Sequence, residues 1–190
     1  SLESSDTVDD WNAMILAFLS HGTATPQHLG AVLERNPGFA MGHAAKGLFS
    51  LMLGRSEMVA AAKEAARVAR QHAEGISPRE TLWVEALEAW LAGYPSRASD
   101  AMEKALAIQP RDTLSAKVSH AILFILGDAH GIRRSFENVL DAHKFHPLRG
   151  YLLGCHAFTL EETGDYDAAE QTGLEALIHA PDDAWGLHAV

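Results

Sequence analysis

Apolar side chains return every three or four positions through most of this chain. No stretch alternates Val, Ile or Thr with polar residues, so helices are expected and strands are not. Punctuation between the apolar runs sets the helices in pairs. Gly22, Gly54, Gly93, Gly127 and Gly164 each follow an apolar run, at intervals of 32, 39, 34 and 37 residues. Each is positioned to close the first helix of a hairpin. The pattern predicts paired helices near 10–20 and 26–35, 39–53 and 57–73, 78–93 and 96–108, 112–126 and 132–144, and 147–163 and 166–179. A further helix starts at Asp182 or Asp183. Ser77-Pro78-Arg79-Glu80 is a capping box with proline at the first helical position.

A Gly-Ala-Ala-Pro frame occurs twice. Gly93, Ala98, Ala105 and Pro110 form one copy; Gly164, Ala169, Ala176 and Pro181 form the other, each 71 positions later. Gly ends one helix, the two Ala share a face of the next where helices must approach, and Pro stops that next helix. Closing glycines near the 34-residue tetratricopeptide period make stacked helical hairpins the expected architecture. The expected fold is all-α, a right-handed superhelical array of antiparallel hairpins, with residues 1–8 a flexible N-terminal segment and 9–190 the helical domain.

Composition narrows the partners. Fifteen Lys and Arg against 25 Asp and Glu give a net charge of −10, which opposes nucleic acid and anionic membrane surfaces. No apolar run is long enough for a bilayer span. No signal peptide is visible, and a cytoplasmic location is expected. The lone Cys155 sits in an apolar run and reads as inert packing.

Longer stretches resemble the tetratricopeptide repeat protein 38 family. Arg79 to Val84 with Trp90 and Gly93, then Pro110 to Leu114 with Lys117, His120, Phe124 and Gly127, are similar to two of its repeat motifs. Phe158 to Tyr166 with Ala169 and Glu170, then Asp183 to Ala189, are similar to two more. Ala121 stands where the family tends to carry Asp. Members are roughly twice this long, so the chain resembles an N-terminal half. The resemblance implies an architecture and carries no activity.

In such arrays the first helices line a concave face. They would present Glu80, Trp83, Leu87 and Trp90; Leu114, Lys117, Ala121 and Phe124; Tyr151, Gly154, Phe158, Glu161 and Glu162; and Trp185 and His188. Two readings stay open: an aromatic groove for a protein or peptide, or core aromatics covered by further helices. A homodimer through this face or through the last helix is a further expectation. The leading function is a non-enzymatic scaffold without cofactor. The alternative is a small-molecule- or metal-dependent enzyme whose site a missing C-terminal half completes. His43, His120, His156 and His188 lie on first helices at differing registers, so they are expected to face apart rather than hold one metal. His120 replaces a small residue and is expected to be buried and hydrogen-bonded. Glu161-Glu162 is a weak acid–base candidate, since adjacent helical residues point about 100° apart. Gly150 and Gly154 are expected to permit close helix packing.

Overall fold

The computed structural model describes residues 4–190. Eleven α-helices, one 3-10 turn and no strand occur among the described residues. The described residues form two compact units, residues 4–18 with 22–105 and residues 19–21 with 106–190, with the second division falling inside the sixth helix.

The first unit contains α1 (Ser5–Leu19), α2 (Thr25–Arg35), α3 (Ala40–Met52), α4 (Met58–Gln71), α5 (Pro78–Leu91) and most of α6 (Pro95–Ile108). Within it α3 packs on both α4 and α5. Trp83 and Leu87 of α5 are fully buried, as are Met41, Ala44 and Leu48 of α3. A Cβ on Gly47 would collide with the Leu87 side chain, so glycine there sets how closely α3 and α5 approach. The Ser77 hydroxyl accepts the Glu80 amide at 3.3 Å and the Glu80 carboxylate accepts the Ser77 amide at 3.0 Å, completing the expected capping box.

The second unit contains α7 (Thr113–Leu126), α8 (Ala129–Val139), the 3-10 turn Asp141–His143, α9 (Arg149–Glu162), α10 (Tyr166–His179) and α11 (Ala184–His188). Here α7 packs on α8 and α9, and α9 on α10 and α11. Helices α3, α7 and α9 therefore each touch their own partner and the next first helix, the contact pattern of consecutive hairpins. Leu106, Ala116, Ile132, Phe136, Leu152 and Cys155 form the core, with Trp185 packed at its edge.

The repeated frame holds in detail. Ala98, Ala105, Ala169 and Ala176 are all buried, and α6 and α10 stop just before Pro110 and Pro181. Gly93, Gly127 and Gly164 take φ of +89°, +73° and +83°. After each, the next amide reaches back five residues to a carbonyl of the closing turn, as in Tyr94 to Ala89, Asp128 to Leu123 and Asp165 to Leu160. Gly22 departs from the rule, because His21 takes the left-handed conformation at φ 57° and Gly22 follows it. The 71-residue offset also extends further than expected. Asp112 caps α7 through the Ser115 amide, and Asp183, 71 positions later, caps α11 through the Gly186 amide.

Two boundaries differ from expectation. Helix α1 begins at Ser5, not near Asp10, because the Ser4 hydroxyl accepts the Thr7 amide at 3.2 Å. Residues 5–8 of the segment expected to be flexible are therefore helical, and residues 1–3 lie outside the described residues. The helix expected to reach Lys144 ends at Val139 and tightens into the 3-10 turn, which brings His143 inward. No described helix is long and apolar enough to cross a membrane.

Candidate functional site: a polar cluster set in aromatics

Helices α7, α9 and α11 bring Lys117, His120, Cys155, Phe158, Glu161, Asp183, Trp185 and His188 together in the second unit. The site begins with a close backbone approach. Any Cβ on Gly154 would collide with the Asp183 carboxylate, so glycine lets the start of α11 settle on α9. Asp183 is 1% exposed; its Oδ2 accepts the Gly186 amide at 2.7 Å, while Oδ1 has no hydrogen-bond partner within the chain. Burial pushes its carboxyl pKa upward, against the downward pull of that amide and of Lys117.

Lys117, one turn into α7, is a buried ammonium. Its Nζ lies 3.1 Å from the Cys155 sulfur and 5.0 Å from the centre of the Trp185 ring. Burial pushes the Cys155 thiol pKa up, and the Lys117 charge pulls it back down.

His120 is buried at 2% exposure, as expected, but not hydrogen-bonded, because the space around it is filled by rings. Both ring nitrogens lack a partner. The imidazole stacks on Phe158 at 5.6 Å, meets Phe136 edge-on at 5.4 Å and lies 5.1 Å from Trp185. Desolvation, then the Lys117 charge, holds its pKa well below the ordinary value, so the ring is neutral at pH 7. His143 shows the contrasting solution. Equally buried, it pairs Nδ1 with the Val139 carbonyl and Nε2 with the Thr113 hydroxyl, both at 3.0 Å.

At the rim Phe124 is half exposed and His188 largely so. His188 Nε2 lies 3.3 Å from Glu161 Oε2, but the two are not aligned as a hydrogen bond, and that oxygen is buried without one. Trp185 is half-buried, with its indole N–H lacking a partner within the chain. Phe158 lies 4.3 Å from its ring and Phe124 6.2 Å away. Three buried acceptors or donors (Asp183 Oδ1, Glu161 Oε2 and Trp185 Nε1) are therefore unsatisfied in one aromatic neighbourhood, in addition to the His120 nitrogens. Buried polar atoms without partners are uncommon.

No family model matches the chain, and no solved structure matches it.

The expected concave face is corrected at several positions. Trp83 is fully buried core, and Phe158 and Lys117 are buried, so none of the three is an open surface. Glu80 is engaged in the capping box, and Trp90 is half-buried in the first unit. Tyr151 turns its hydroxyl to Asp182 at 2.8 Å, and burial with that carboxylate pushes its pKa up to about 12. Glu162 is exposed, and only Glu161 faces the cluster. His120 and His188 both meet Phe158 and Trp185, closer together than their registers imply. His43 bonds the Pro37 carbonyl in the first unit, while His156 lies 3.8 Å from Glu137. Among the described residues, no three His, Cys, Asp or Glu converge as metal ligands. Gly150 and Gly154 do serve close packing, against Ala180 and Asp183. Sequence reasoning missed the Lys117–Cys155 pair and the role of Asp183; only the 71-residue offset between Asp112 and Asp183 marked the latter.

Proposed function

We propose that this chain is a helical-repeat interaction module of the tetratricopeptide repeat protein 38 family, its hairpins stacked as a right-handed superhelix and working in the cytoplasm. The second unit takes a protein or peptide partner at the rim of Phe124, Trp185 and His188. The observation that carries this is the half-exposed Phe124 set edge-on to the half-buried Trp185, an aromatic surface open to a partner. An apolar side chain of the partner would cover Phe124 and the exposed edge of the Trp185 ring. Trp anchors surrounded by aromatic contacts are the side chains that dominate protein interfaces. Acidic surface charge favours a partner segment with basic flanks.

The test is site-specific photo-crosslinking in cells. Benzoylphenylalanine at position 124 should yield discrete adducts identifiable by mass spectrometry. The same group at position 53, also exposed but in the first unit, should not. Equal adduct patterns at both positions would overturn the assignment. Adducts between two copies of the chain would make the partner a second copy.

A further inference from the structure

The structure points to a covalent modification site at Lys117 and Cys155. We propose that oxidation joins Lys117 Nζ to Cys155 Sγ through a single oxygen atom, tying α7 to α9.

Three observations carry it. The first is contact, with Nζ 3.1 Å from Sγ inside the core and both side chains buried. The second is the absence of competing fates. Oxidised cysteine is ordinarily captured by another thiol, yet Cys155 is the chain's one cysteine, and burial excludes bulky thiols such as glutathione. A small oxidant that reaches the sulfur leaves a sulfenic acid whose adjacent nucleophile is an amine. The third is a buried carboxylate beside the pair. Asp183 lies through Oδ2 against Gly154, the residue before Cys155, and is near enough to feel the Lys117 charge. A carboxylate there can take the proton that Lys117 must lose before its nitrogen lone pair can react.

The chemistry balances with hydrogen peroxide as oxidant. One equivalent converts the Cys155 thiol to the sulfenic acid and releases water. A second removes the sulfenic O–H hydrogen and one Lys117 N–H hydrogen as the N–O bond forms, releasing two further waters. Sulfur and nitrogen together give up four electrons, and the product is Nζ–O–Sγ. The bridge also removes the ammonium that sits over Trp185, so closure is felt at the rim.

The experiment treats the folded full chain with peroxide and measures intact mass, then maps tryptic peptides. The expected product has gained one oxygen and lost two hydrogens. It resists cleavage after Lys117, joins residues 112–133 to residues 150–190, and reverts with a phosphine reductant. Lys117→Arg and Cys155→Ser, each checked for native helicity by circular dichroism, should both lack the joined peptide. If the methionines are oxidised while Cys155 and Lys117 stay unmodified, the proposal fails. It also fails if Cys155 reaches the sulfinic acid with Lys117 still cleavable, or if the same mass change arises in Lys117→Arg.

Discussion

His120 states the central tension of the second unit at the scale of one side chain. It is an imidazole in a space made of rings, neutral because desolvation and Lys117 together oppose its charge. Its pKa is depressed in the fold, so the stability it permits is present above its ordinary value of 6.5 and declines as pH falls below that point, where the unfolded chain gains a proton that the folded one refuses. His143 and His156 are shifted the same way and add to the slope. Asp183, shifted upward, opposes it only at lower pH, in the carboxylate range. Urea unfolding of the wild type should therefore show midpoints that fall as pH drops from 7 toward 5. His120→Leu should flatten that slope and raise stability at pH 7 by about 1–2 kcal/mol, since it removes two unsatisfied nitrogens while keeping the apolar volume. A steeper slope in the variant would show that the nitrogens have partners. At the neighbouring residue of interest, Gly154→Ala should unseat α11, read as fast amide exchange at 186–189 with protection in α7 and α8 retained.

Helix ends were the most legible elements, and their chemistry explains why. Caps and closures depend on a few local residues: Ser77 and Glu80 on each other, Gly93, Gly127 and Gly164 on a left-handed backbone. Such signals survive in one dimension. The His21 closure was illegible because the adjacent Gly22 is the better left-handed residue on intrinsic grounds, and only the folded turn selects its neighbour. The cluster of Lys117, Cys155 and Asp183 was illegible for a different reason. Its members come from α7, α9 and the start of α11, and their meeting depends on Gly154, which marks a close approach in the sequence without naming what approaches it. The concave face was drawn from register alone, which sorts side chains around a helix but not by depth, and so it placed core Trp83 beside rim Phe124. At this scale, Asp112→Ala should cost about 1–2 kcal/mol, because a buried cap serves the first turn of α7. Thermal melting with circular dichroism would check it, and an unchanged melting temperature would contradict the capping role.

Across the molecule, two cores carry the fold, and each answers to its own side chains. Trp83→Ala should cost about 3–5 kcal/mol and lower amide protection across α3 to α5. Phe136→Ala should cost a similar amount and lower protection across α7 to α9. Hydrogen exchange followed by mass spectrometry separates the two, and loss confined to the other unit in either variant would refute the assignment of cores. The placement of Trp185 has a further consequence. Its indole is half-buried at the edge of a core, beside a lysine ammonium and three imidazoles, whereas Trp83 is sealed from water. With the similarly half-buried Trp90 replaced by Phe, the protein carries its own optical reporter, because excitation at the red edge of the absorption band selects the more solvated indole, and its emission colour registers a change at the rim without an added label.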